Sequence, residues 1–296
     1  MGSSPTTYVN APGARLAVYD EGPAADPVVL LHGGPGVPDY LGDVSALLSP
    51  MHHVIRFDQR GTGHSGRSVE RYGLNDYVED LESVRRAFGI DRLALFGHSW
   101  GGTLAQLYAA HYPERVARLC LCDSGIGLGA DWKVMERAVM AHNRRRGGIG
   151  GFALLGLDQL VAMLPGAAGD RGARRMMARV WRNYFESPRD APAPSPEWLA
   201  GVHSRPIFAT RRSAIEADAA ELQGTEVDSA AEVLIIFGEH DIYGDTTELL
   251  LSRYPSARSV VIPGAGHLPW LQNRPVFAKE LESFFATGSG LTKEST

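Results

Sequence analysis

At 296 residues, with 44% hydrophobic and 21% charged residues, the chain has the balance of a folded globular protein and the length for one large core carrying an insertion. A formal net charge of −5 excludes the excess of Lys and Arg that neutralising a nucleic-acid backbone requires, so the expected partner is a small-molecule or short-peptide substrate. No apolar run reaches bilayer-spanning length and the first residues lack a basic stretch followed by an apolar one, so no membrane is expected and the expected location is cytoplasmic.

In chain order, residues 15–19 read as an opening antiparallel strand. Short runs rich in β-branched residues and leucine follow at 28–31, 54–57, 93–96 and 119–122, the pattern of strands buried on both faces of a parallel sheet. Helical spacing fills two of the gaps, at 74–88 and 103–112. This alternation predicts an α/β fold with a mostly parallel, doubly wound sheet. Cys120 and Cys122 stand two apart on one predicted strand, so their side chains share a face and read as buried core residues. No other Cys or His pair lies at metal-site spacing, and neither a metal nor a cofactor is expected. The alternation stops after Cys122. Residues 126–221 hold helical patterns, glycine pairs and a proline-rich loop at 188–194, and are assigned to a helical cap. The cap interrupts a catalytic domain made of 1–125 and 222–296, and an insertion at this point lies above the carboxyl ends of the strands, where open α/β sheets bind ligands. The arginine clusters at 144–146, 174–175 and 211–212 read as solvated helix faces. Strands resume at 233–237 and 259–262.

The strongest local signal is Gly97-His98-Ser99-Trp100-Gly101, which follows one strand run and opens a helix. A serine raised on a strained strand-to-helix turn needs small residues two positions to either side, and Gly97 and Gly101 supply them. A serine hydroxyl is a poor nucleophile alone, so it needs a base and a group to hold that base. Strand 233–237 leads into Gly238-Glu239-His240-Asp241, and strand 259–262 into Pro263-Gly264-Ala265-Gly266-His267. Ser99 as nucleophile, Asp241 as orienting acid and His267 as base follow the chain order this turn implies. Asp123 and Asp245 are the alternative acids. For the oxyanion, the glycine-rich run His32-Gly33-Gly34-Pro35-Gly36 offers the Gly34 amide, and the residue after the nucleophile offers the Trp100 amide.

Together with Asp58-Gln59-Arg60-Gly61 and Gly266-His267-Leu268-Pro269-Trp270, these runs resemble the proline iminopeptidase group of α/β-hydrolases. The resemblance implies the α/β-hydrolase fold with a helical cap, and a serine hydrolase that releases an amino-terminal proline or other small residue through an acyl-enzyme. It also implies an acidic cap residue for the substrate amine, for which Glu186 in Trp181-Arg182-Asn183-Tyr184-Phe185-Glu186 is the candidate. His98 departs from the group, which more often has Gly before the nucleophile, and points to an alternative: an esterase, lactonase or amidase acting on a neutral acyl substrate. A third reading is a non-catalytic ligand-binding protein on the same fold. Relatives that attack with a carboxylate are excluded by the hydroxyl at Ser99.

Overall fold

The computed structural model describes residues 4–23, 26–66, 70–222, 231–244 and 246–286. Its described strands form an 8-stranded sheet in the order β1-β2-β4-β3-β5-β6-β7-β8. The strands are β1 (Thr7–Ala11), β2 (Ala14–Glu21), β3 (Pro27–Leu31), β4 (His53–Phe57), β5 (Leu93–His98), β6 (Val116–Cys122), β7 (Glu232–Gly238) and β8 (Arg258–Ile262). β2 runs antiparallel to both β1 and β4, and every other neighbouring pair is parallel. The sequence reading anticipated β2 and missed β1, a 5-residue edge strand that exposes most of its side chains. So short an exposed run carries no apolar alternation to read.

The inner strands β3 to β7 are apolar on both faces because helices cover both. Val29, Leu31, Leu95, Leu119, Leu121, Val233 and Ile235 pack on one side with α2 (Leu74–Ala87) and α3 (Trp100–His111). Val28, Leu30, Phe96, Leu234 and Ile236 face the other, against α1 (Gly42–Leu48) and α10 (Arg274–Ala286). Cys120 and Cys122 lie together on this second side, fully buried and free, as their spacing requires. Burial pushes both thiols up, so they act as small apolar residues.

Between β6 and β7 the described residues hold α4 (Ala130–Ala162), α5 (Gly166–Asn183), α6 (Pro196–Ala200) and α7 (Ser204–Glu216). α4 is broken at Gly148, whose φ of 62° and ψ of −176° are not helical. Its second half pairs with α5 through Asp158, which holds Arg175 at 2.7 Å and Arg179 at 2.6 Å. Arg146 and Arg211 likewise hold Glu186 and Glu136, so these members of the arginine clusters tie the insertion together rather than simply face solvent. No helix among the described residues is long and apolar enough to cross a membrane. After β7 come α8 (Thr247–Arg253) and, beyond β8, the short α9 (Pro269–Gln272).

The chain winds outward from β3 to β4, then returns to place β5 on the other flank of β3. Side chains emerging from the carboxyl ends of β3 and β5 therefore meet at a switch point, the position where sheets of this kind form a crevice.

Candidate active site

Ser99 occupies the turn from β5 into α3, with a φ of 55° and ψ of −122°, a conformation that L-residues rarely adopt. The flanking glycines make the turn possible. A β-carbon at Gly97 would lie 2.6 Å from the Gly101 carbonyl oxygen, and one at Gly101 only 2.0 Å from that of Leu31. The turn is thus wedged against β3. The helix begins at Trp100, three residues before the periodicity of the sequence suggests, because glycines at 101 and 102 carry no apolar signal.

Three segments far apart in the chain meet at Ser99. The structure places His267 Nε2 3.0 Å from Ser99 Oγ, and His267 Nδ1 2.5 Å from Asp241 Oδ1. All three residues are buried, His267 completely. A carboxylate only accepts, so Nδ1 carries the ring proton and Nε2 is left to accept from the Ser99 hydroxyl. The second Asp241 oxygen accepts the Tyr243 N–H at 3.0 Å.

Of the alternative acids, Asp123 lies behind this pair at the end of β6, where its Oδ1 accepts the Gly238 N–H at 2.8 Å. Burial, reinforced by the charge of Asp241, raises its carboxyl well above the ordinary range, so Asp123 is held protonated. Asp245 lies outside the described residues. His98, Asp123 and His267 each bring one donor atom within 4.8 Å of the others. The nitrogens of both rings are nevertheless already engaged, and Asp123 Oδ1 holds Gly238.

His98 forms a strut that the sequence did not reveal. Its Nε2 donates to the His267 carbonyl at 2.7 Å, and its Nδ1 accepts from the Tyr40 hydroxyl at 2.6 Å. Burial pushes the ring well below the usual histidine range, so it stays neutral. Tyr40 in turn accepts the Gly33 N–H at 2.9 Å. A chain of bonds therefore links the glycine-rich loop after β3 to the backbone of His267. Gln59 supplies a parallel link: its amide donates to the His32 carbonyl at 2.7 Å while its oxygen accepts the Trp100 indole N–H at 2.8 Å. The amides of Gly34 and Trp100 donate to no protein group among the described residues. Trp100 is the first residue of α3, where backbone N–H groups have no intrahelical acceptor.

The insertion also reaches the cluster. The Tyr184 carbonyl accepts the His267 N–H at 2.8 Å, and its ring lies 4.7 Å from the imidazole. Tyr243 approaches the same ring edge-on, and its hydroxyl lies 3.0 Å from Ser99 Oγ. Neither tyrosine was singled out in the sequence. Tyr243, two residues past Asp241, was the more accessible of the two to sequence reasoning.

Glu186 stands apart. Its side chain is 43% exposed, lies 2.7 Å from Arg146 Nη2 and 3.7 Å from His240 Nε2, and forms no hydrogen bond with Ser99 or His267. A cavity of about 1000 Å³ lies where the insertion meets the loop before α1, lined by Tyr40, Trp181, Glu197 and Trp198 among others. Ser99, Asp241 and His267 do not line it, and Tyr40 is the residue that touches both it and the strut.

Comparison with known proteins agrees with this architecture. A proline iminopeptidase of Heyndrickxia coagulans is 35% identical over 113 residues, which cover 37% of this chain and 39% of that protein's length. A putative 2-succinyl-6-hydroxy-2,4-cyclohexadiene-1-carboxylate synthase of Bacillus subtilis is 28% identical over 284 residues, 93% of this chain and 96% of its own. The solved enol-lactonase of Burkholderia xenovorans superposes with a TM-score of 0.66 at 21% identity, covering 95% of this chain and 100% of that one. Residues 26–273 match the α/β hydrolase fold family. The chain belongs to that α/β hydrolase fold family.

Proposed function

We propose that the chain is a serine hydrolase that works through an acyl-enzyme on small, neutral acyl substrates. The observation that carries this reading is the continuous hydrogen-bonded line from Ser99 Oγ through the His267 ring to Asp241, with distances of 3.0 and 2.5 Å. In this reading His267 takes the Ser99 proton as Oγ attacks the carbonyl carbon, and Asp241 holds the tautomer that makes this transfer available. The unpaired Gly34 and Trp100 amides are the donors for the oxyanion, and each such donor contributes about 2.7–4 kcal/mol to the barrier where it has been removed. His267 returns the proton to the leaving group, then activates water to release the acyl group.

Neutral acyl chemistry is favoured over release of an amino-terminal residue by the state of Glu186. An ammonium group beside Ser99 needs a free carboxylate, and the Glu186 carboxylate is engaged by Arg146. The carboxyls that meet the cluster are Asp241, already bonded to His267, and Asp123, held protonated. Among the other polar side chains around the imidazole are the neutral His98 ring and the phenols Tyr184 and Tyr243, both held protonated by burial. The aminopeptidase reading rests on the identity with proline iminopeptidases, which lies within about a third of this chain. On this account the insertion is a cap that closes the acyl pocket.

The test compares a short acyl ester, a lactone, a prolyl arylamide and an alanyl arylamide on the purified protein. Ester or lactone turnover should exceed arylamide turnover, and Ser99→Ala and His267→Ala should each lose several orders of magnitude while remaining folded. Substantial activity in a folded Ser99→Ala variant rejects the mechanism, and a preference for prolyl arylamide rejects the substrate class.

A further inference from the structure

Ser99 Oγ has two polar neighbours, His267 Nε2 and Tyr243 Oη, each at 3.0 Å. The proton inventory fixes the direction of both bonds. Asp241 obliges His267 Nδ1 to carry the ring proton, so Nε2 accepts and Ser99 donates to it. Ser99 has one proton, and it is spent. The second bond therefore runs from the Tyr243 O–H to a lone pair of Ser99 Oγ. Burial of the phenol, with Tyr184 and Asp241 nearby, holds it protonated across the working pH range. Its position is fixed by the residue that fixes the base: Asp241 accepts the Tyr243 N–H with one oxygen and the His267 Nδ1–H with the other. Tyr243 also meets the His267 ring edge-on at 5.2 Å, so its hydroxyl sits beside the group that delivers the proton.

We propose that Tyr243 is a catalytic hydrogen-bond donor to the departing atom, and that it suits the site to acyl compounds that leave through oxygen, namely esters and lactones. This rests on the reading of Ser99 as nucleophile. In the resting site the phenol is bonded to Oγ. As Oγ attacks, its proton passes to Nε2 and one electron pair becomes the new bond to carbon. The ether-type oxygen that results is a weaker acceptor than the leaving oxygen, which gains negative charge as the scissile C–O bond lengthens, so the phenol shifts its hydrogen bond to the leaving oxygen. The leaving oxygen of the tetrahedral intermediate has two lone pairs. One takes the proton from Nε2, and the other accepts the hydrogen bond from Tyr243, whose own proton stays in place. The C–O bond breaks, the alcohol departs, and Ser99 keeps the acyl group. An amide nitrogen in the intermediate has a single lone pair, which the proton from Nε2 consumes, so a second donor on that side has nothing to meet. Sulfur has two lone pairs but accepts hydrogen bonds weakly.

The experiment is Tyr243→Phe in the full chain, which keeps the ring against His267 and removes only the hydroxyl. Three butyryl substrates share one acyl group: ethyl butyrate, whose alkoxide leaves poorly, its ethyl thioester, and p-nitrophenyl butyrate, whose phenolate leaves without help. The variant should lose about 10- to 100-fold in kcat/KM on ethyl butyrate, the range for a hydrogen bond to a charged atom, and less than about 3-fold on the other two. Equal losses on all three would show a merely structural role, and no loss on ethyl butyrate would show that the phenol does not act. Wild-type protein that cleaves butyryl anilide faster than ethyl butyrate would overturn the oxygen preference. Labelling by a fluorophosphonate, located by mass spectrometry, separates the two levels. If wild type and Tyr243→Phe are both labelled at Ser99, the nucleophile stands whatever the esters show; absence of labelling in wild type removes the nucleophile and this donor with it.

Discussion

Asp241→Asn is the substitution whose outcome the geometry determines most closely. Asp241 offers one oxygen to the Tyr243 N–H at 3.0 Å and the other to His267 Nδ1 at 2.5 Å. An asparagine must keep its oxygen toward the Tyr243 amide, because its NH₂ would there confront another donor. The NH₂ then faces His267 Nδ1, which is forced to become an acceptor. The ring proton moves to Nε2, and Nε2 can no longer take the proton of Ser99. Loss of one ordinary hydrogen bond would cost only about 1 kcal/mol. Reversing the tautomer removes the base itself, which lowers kcat about 10⁴-fold in a triad of this kind, or about 5.4 kcal/mol of barrier. Steady-state hydrolysis of p-nitrophenyl butyrate measures the loss, with thermal unfolding as the control for folding. A folded Asp241→Asn variant that keeps more than about a tenth of the wild-type rate would refute the tautomer argument.

Other substitutions test separate parts of the site. Gly101→Ala puts a methyl group 2.0 Å from the Leu31 carbonyl, backbone against backbone with no side chain to yield; denaturant titration should show a loss of about 1–3 kcal/mol or more, and unchanged stability would mean the turn is not wedged. His98→Phe removes the bonds to the His267 carbonyl and the Tyr40 hydroxyl. Each buried group left unpaired costs about 1–3 kcal/mol, so both the melting temperature and kcat should fall, whereas a fully active variant of wild-type stability would deny the strut. Glu186→Gln should leave ester hydrolysis unchanged and cost less than about 1 kcal/mol of stability, as for an exposed ion pair. A selective loss on amino-acyl substrates would return Glu186 to amine recognition.

The fold was legible where the physics is local. Strands buried on both faces need continuous apolar runs, so β3 to β7 announced themselves; β8, an edge strand with most of its residues exposed, showed only through its Val-Val-Ile run. The two-residue spacing of Cys120 and Cys122 gave their shared face. Ser99, Asp241 and His267 were legible because each sits in a loop whose residue types are demanded by chemistry or by space. The partners that surround them were not. Tyr184 reaches His267 from the end of α5, and Tyr40 reaches His98 across 58 positions. Nothing in the spacing of those residues encodes the meeting. His98 drew notice only as a departure from a familiar motif, and its use as a neutral bridge emerges from its two hydrogen bonds. Glu186 looked suitable by charge, but a charge along a sequence does not say which cation will claim it, and Arg146, 40 positions earlier, does.

The bond from the His267 amide to the Tyr184 carbonyl has a bearing on engineering. It means that, in the proposed hydrolase, the insertion cannot be exchanged like a cassette to change what the site accepts. The segment that would shape the pocket also supplies one of the anchors that hold the imidazole loop in register, and Glu186 continues the attachment through its own amide to Gln272 at 2.7 Å. A chimaera that imports a foreign cap would have to carry over the turn at 184–186 intact, or select compensating changes in the loop at 263–268. Selectivity and rate are therefore coupled through a few main-chain atoms, and variation aimed at one should be designed with the other in view.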